Sequence, residues 1–234
     1  MSTSTPRLLQ ILNIVSASMA VVALGLVFMY APREVTMGEV QRVFYFHVAA
    51  AWVGFLALFV GLVAGIMVLV TGDHKWDHLE LSTVEVGLVF SVITLFTGMI
   101  WGRPAWNTWW TWDPRTTTFA ILILIYFAYF MLRQSLEDPD RRARFAAVYA
   151  IVGFVSVPIT FFSIRLWRTI HPVVVGSSDP SAQGSFNMVA PMAQTLLFSL
   201  TFFTILYVTL LWHRIRLANA EQRIEQLKAQ VTSA

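Results

Sequence analysis

The sequence predicts an all-α, polytopic integral membrane protein of six transmembrane helices, and three observations predict it. Of its 234 residues 57% are hydrophobic and only 12% charged, and the mean hydropathy is +0.66, far from the mix of a soluble domain. A hydrocarbon core about 30 Å thick needs roughly 20 apolar residues per helix at a rise of 1.5 Å each, and charge-free runs of about that size recur along the chain. These runs do not alternate polar and apolar residues, as the strands of a membrane barrel would.

In order, the predicted spans are Ile11–Tyr30, Val48–Val70, Val86–Gly102, Thr116–Leu132, Phe145–Ile164 and Gln194–Trp212. The first is longer than a signal-peptide core and is followed by no convincing small-x-small cleavage site, so it reads as a retained helix. Pro158 is placed to kink the fifth. With no internal repeat or low-complexity tract, residues 1–234 read as a single membrane domain, with outer-face loops at about 31–47, 102–116 and 165–193. In the tail, 214–234, the positions Leu217, Ile224, Leu227 and Val231 are spaced as one face of a short amphipathic helix, suited to a membrane surface or a partner.

Six spans put both termini on one side, and the Lys/Arg bias orients them. Ten basic residues fall at the termini and in the second and fourth loops, against six (Arg33, Arg42, Arg103, Arg115, Arg165 and Arg168) in the others. The first set is expected in the cytoplasm, which for a bacterial inner membrane leaves the six on the periplasmic side. Taken singly, each of those arginines could simply contact lipid phosphate. The pI near 9.5 accompanies a net charge of only +3, with the basic residues at helix ends, so membrane topology explains it and nucleic acid is not an expected partner. Cysteine is absent, which excludes disulfides, thiolate ligands and covalent haem attachment.

Five of the nine tryptophans, Trp101, Trp106, Trp109, Trp110 and Trp112, fall within sixteen residues. An interfacial belt is the ordinary use of tryptophan, but a belt does not require five in one loop. Were this segment a short surface helix, Trp106, Trp109 and Trp110 would share a face by their spacing, an aromatic platform suited to a flat macrocycle. Asp113 before Pro114 is placed to cap the next helix. His47, in Arg42-Val-Phe-Tyr-Phe-His47, and His171, in Arg165-Leu-Trp-Arg168-Thr-Ile-His171, lie at outer ends of the second and fifth spans. Two neutral imidazoles on opposite faces of a haem iron make a six-coordinate site without covalent attachment. Either histidine alone is more often an interfacial hydrogen-bonding residue; the tryptophan loop tips the balance. His74 and His78 read as part of a polar cytoplasmic loop, and His213 as the end of the last helix near headgroups.

The Trp-Gly…Trp…Trp-Trp-x-Trp-Asp segment 101–115, with QRVFYFHVAAAW and RLWRTIHP, resembles the tryptophan-rich membrane proteins that handle haem in cytochrome c biogenesis, and over nearly the whole chain the haem exporter protein C family. The resemblance implies a haem-binding and haem-transfer component of a transporter complex, not an enzyme, with haem b held non-covalently and transiently. It implies His47 and His171 as axial ligands, and Trp106, Trp109, Trp110, Trp112 and Asp113, together with Trp101, in the loop that meets the macrocycle. Arg42, Arg103, Arg115, Arg165 and Arg168 are candidates to pair with the propionates. Implied partners are a periplasmic haem chaperone, ATP-binding cassette transporter subunits and a small single-span helper, in addition to membrane lipid. One departure is Ala49, where the family pattern would have proline. The sequence contains no nucleotide-binding loop. Rival readings are a b-type cytochrome subunit passing electrons to quinone, which would bury its ligands within the bilayer, and a small-solute permease, which would carry polar groups near the midplane.

Overall fold

The computed structural model describes residues 5–35, 37–171 and 188–232. Among the described residues seven α-helices make six spans: α1 (Arg7–Gly25), α2 (Val43–Thr71), α3 (His74–Trp106), α4 (Pro114–Gln134), α5 (Pro139–Phe154) and α6 (Ser156–Leu166), which share one span, and α7 (Ala190–Thr232). A π-helical turn, Leu26–Tyr30, extends α1, and a 3-10 turn, Glu39–Arg42, leads into α2. All six predicted spans are present, each longer than its charge-free run. The expected outer loop at 165–193 falls largely outside the described residues.

Helix starts follow the side-chain chemistry. Asp73, Asp113 and Asp138 each cap a helix, their carboxylates accepting the backbone N–H of Lys75, Arg115 and Arg141, and Pro114 and Pro139 occupy first-turn positions where a missing N–H costs nothing. The fifth span breaks at Val155, because Pro158 has no N–H to offer the carbonyl four residues back.

α2 and α3 form the central pair, with α5 and α7 against α2, α4 against α5 and α6, and α1 outermost on α7. Small residues allow the α2–α3 approach: an added Cβ on Gly87 of α3 would lie 2.9 Å from the Ala57 Cβ of α2. α1 is fastened to α7 at three levels, by Tyr30 to Gln194 (2.5 Å), Ser16 with Thr209 (3.0 Å) and His213 with Asn13 (2.9 Å). Around this core, large apolar side chains such as Val21, Leu124, Val152 and Leu197 point outward, the expected surface of a bundle solvated by lipid.

Three local expectations are corrected. The last helix does not stop at Trp212 but runs unbroken to Thr232, because no Gly or Pro interrupts 213–232; His213 is therefore an interior helical residue bonded to Asn13. His74 and His78 are not in a loop. They begin α3, where His74 meets Asp140 at 3.0 Å and His78 meets Asn219 at 2.9 Å. The third span also begins well before Val86, at His74. With α3 starting at His74, Asp77 and Glu80 become buried helical residues: Arg133 of α4 makes a two-armed pair with Asp77 (2.6 and 3.0 Å), and Tyr129 donates to Glu80 at 3.0 Å.

Candidate functional site

α3 is 33 residues long, about 50 Å at 1.5 Å per residue, which exceeds an apolar core about 30 Å thick, and Trp101 and Trp106 fall in its last turns. It ends at Trp106 because Asn107 turns left-handed, with φ 54°, a conformation asparagine tolerates. Residues 107–113 then run without helix to Asp113. The surface helix considered for this loop therefore does not form, and its tryptophans reach a common surface by another route.

That surface is a cleft between the N-terminal part of α2, the C-terminal part of α3 and the N-terminal part of α4. Its walls include His47, Thr94, Gly98, Met99, Trp101, Trp106, Trp109, Trp110, Thr111, Arg115, Phe119 and His171. It encloses about 670 Å³, including the part open to solvent. Both histidines and four of the five clustered tryptophans thus face one space, although His171 follows His47 by more than a hundred residues.

The two histidines are held differently. His47 stands one turn into α2, and its Nδ1 lies 3.1 Å from the Thr94 carbonyl oxygen and 3.1 Å from Thr97 Oγ1 on α3. The ring lies so close to Gly98 that a Cβ there would be 3.0 Å from His47 Cε1. His171 follows the end of α6, beyond Trp167 with its extended backbone. Its backbone N–H donates to Thr169 Oγ1 at 3.1 Å, while the Thr169 hydroxyl donates to Asp113 Oδ1 at 2.5 Å and the Ile170 N–H to Asp113 Oδ2 at 2.9 Å.

Aromatic contacts link these parts. The Trp101 indole N–H donates to Gln41 at 3.1 Å, Trp101 meets Trp106 edge-on at 5.6 Å, and Trp106 lies 6.3 Å from the His171 ring. Edge-on pairs of this kind hold their geometry with about 0.5–1.5 kcal/mol beyond simple burial. Trp110 meets Trp112 at 5.6 Å, and Trp112, 81% exposed, with Trp109, 56% exposed, forms the outer lip.

The remaining candidates separate. Asp113 lies behind the cleft, its carboxylate occupied by the Arg115 amide, Thr169 and Ile170. Arg115 lines the cleft and donates through Nη1 to the carbonyls of Thr160 and Phe161, with its guanidinium over Phe55. Arg42 lies elsewhere, donating to the carbonyls of Val27 and Ala31 and pairing with Glu39, where it closes the π-helical turn after α1. Arg103 donates to Asn107 at 2.6 Å and stacks over Trp109 at 5.9 Å. Arg165 lies over Phe161, and Arg168 is exposed. Thr94, Thr97, Gly98, Met99 and Phe119 escaped the sequence reading. The i, i+3, i+4 spacing of 94, 97 and 98 could have grouped them on one face, but not shown which histidine that face receives.

Fold and cleft together define a six-span membrane protein that carries two histidines and a tryptophan wall in one recess at a rim of the bundle. Residues 1–230 match the family model described as Heme exporter protein C. The chain is similar to the Heme exporter protein C of Bradyrhizobium diazoefficiens, 31% identical over 91% of this chain and 80% of the relative. It is similar to that of Paracoccus denitrificans, 31% identical over 94% and 91%, and to that of Escherichia coli K12, 30% identical over 90% and 86%. The protein belongs to the haem exporter protein C family.

Proposed function

We propose that this chain binds haem b, transiently and without covalent attachment, between His47 and His171 at the periplasmic face of a bacterial inner membrane, and delivers it to a periplasmic haem chaperone for c-type cytochrome assembly. Family membership supports the role in haem handling. The observation that carries the residue-level reading is the convergence of both histidines and four tryptophans on one cleft.

The donor set suits a haem. Two imidazoles can take the axial positions, indole and phenyl faces offer dispersion contact to the ring, and Arg115 brings a permanent positive charge for a propionate. Arg42, Arg103, Arg165 and Arg168 are not among the cleft walls, whereas Arg115 is, so Arg115 is the favoured propionate partner. The exposed lip of Trp109 and Trp112 leaves aromatic surface for the chaperone. Transfer needs a partner that favours a weaker-binding state, and the energy for it comes from outside this chain. ATP-binding cassette subunits and a small single-span helper fit that need, with this chain as the haem-binding component rather than an enzyme. The ten-to-six split of basic residues supports cytoplasmic termini. The electron-transfer alternative is disfavoured because the cleft lies where helices end rather than between facing helices at mid-membrane.

The test is haem content. Purified protein should carry a haem absorption spectrum that is lost or sharply reduced in His47→Ala and in His171→Ala, with membrane insertion unchanged in both. Haem content indifferent to both substitutions would remove the reading.

A further inference from the structure

We infer that Thr97 and Gly98 form a seat that fixes one tautomer of His47, with the proton on Nδ1 and the lone pair of Nε2 presented to the cleft, which makes Thr97 a positioning residue for the iron ligand. This deepens the haem-ligand reading and rests on it for the affinity measurements, though not for the tautomer itself.

The argument is one of donors and acceptors. The Thr94 carbonyl oxygen, 3.1 Å from Nδ1, can only accept. The Thr97 hydroxyl also lies 3.1 Å from Nδ1, and it donates its own proton to the Ile93 carbonyl at 2.7 Å, which leaves its oxygen facing the ring as an acceptor. Two acceptors converge on one ring nitrogen, so that nitrogen carries the proton. A neutral imidazole has a single N–H, and Nε2 is then the bare donor a metal requires.

The position of the ring is set by close approach. Gly98, one turn beyond Thr94, lets the imidazole lie against the α3 backbone; a Cβ at 98 would be 3.0 Å from Cε1 and 3.5 Å from Nδ1, too tight unless the ring moves. Ala51, four residues after His47 on α2, lines the cleft with a side chain too small to fill it. Hydroxyl, carbonyl and missing side chain thus act together, and all three are supplied by α3.

The test uses the full chain in lipid nanodiscs, free of haem, with ¹⁵N-labelled histidine. The His47 signals are identified by their loss in His47→Gln, and ring-nitrogen NMR reads the proton position. The wild-type protein should show Nδ1 protonated and Nε2 bare. Thr97→Val, which leaves the Thr94 carbonyl as acceptor and so keeps the proton on Nδ1, should shift the Nδ1 resonance and lower haem affinity by about 10-fold or more, the usual effect of removing a partner that orients a ligand, whereas Thr97→Ser should restore both. Gly98→Ala should keep the tautomer but lower haem affinity and shift the haem spectrum, because the ring is displaced. A wild-type His47 protonated on Nε2 overturns the seat without any variant having to fold, as does a Thr97→Val protein that matches wild type in both measurements. If the His47 signals respond as stated while neither wild type nor the Thr97→Ser protein takes up haem, the seat stands and the haem-ligand reading fails.

Discussion

The Asp113 carboxylate accepts the Thr169 hydroxyl at 2.5 Å and the Ile170 amide at 2.9 Å, so the end of the tryptophan loop and the strand of chain bearing His171 are tied through one side chain. The same carboxylate caps α4 through the Arg115 amide. Helix start, aromatic loop and second histidine are therefore placed by a single residue, from behind the cleft.

Replacing Asp113 should loosen His171 while sparing His47. In Asp113→Ala the cap alone is worth about 0.5–2 kcal/mol, and the lost tie should leave haem bound weakly, with the ligand signature of one histidine. Asp113→Asn should not rescue, because its amide nitrogen would face either the Ile170 N–H or the donors on the other oxygen. Spectra of the haem-loaded variants check this; an Asp113→Asn protein identical to wild type would show that the tie is dispensable.

The seam between α2 and α3 should tolerate no added bulk. Gly87→Ala sets a methyl 2.9 Å from the Ala57 Cβ and should cost about 1–3 kcal/mol, as overpacking does, with haem occupancy falling in parallel because His47 and its seat lie on opposite sides of this seam. Gly25→Ala, where an added Cβ meets nothing within 4 Å, should be silent. Thermal unfolding in detergent, read beside haem content, distinguishes the two.

Much of this was legible beforehand, for a physical reason: a bilayer demands about 20 apolar residues per crossing, so the six spans appear directly in the sequence, as does the Asp-Pro helix start at 113. The rim location of His47, His171 and the tryptophans followed from counting those spans. The seat at Thr94, Thr97 and Gly98 did not, because it depends on how α2 crosses α3, a relationship between residues some fifty positions apart. The surface helix failed at Asn107, where a left-handed turn overrides the favourable tryptophan spacing. The Asp77–Arg133 pair was hidden because hydropathy treats the start of α3 as loop.

That pair gives a stability prediction. Both side chains are buried, and removing one partner strands a charge, which costs about 3–5 kcal/mol. Arg133→Met should therefore lower the unfolding midpoint strongly, and the double variant Asp77→Leu with Arg133→Met should recover most of the loss. Equal instability in single and double variants would assign the effect to packing instead.

The exposed lip should matter for transfer more than for capture. Trp109→Ala combined with Trp112→Ala removes the lip's aromatic contacts, worth roughly 0.5–1.5 kcal/mol each, and loading of a periplasmic haem chaperone should slow about 10-fold while the iron ligands persist. Transfer at the wild-type rate in this double variant would contradict a role for the lip.

The convergence of His47 and His171 on one iron is tested most directly by near-infrared magnetic circular dichroism of the haem-loaded ferric protein, which reports the axial ligand pair. The account predicts a paired-imidazole signature in wild type that is lost in His47→Gly and in His171→Gly and returns in each when free imidazole is added. A paired-imidazole signature that survives either substitution unaided would contradict it.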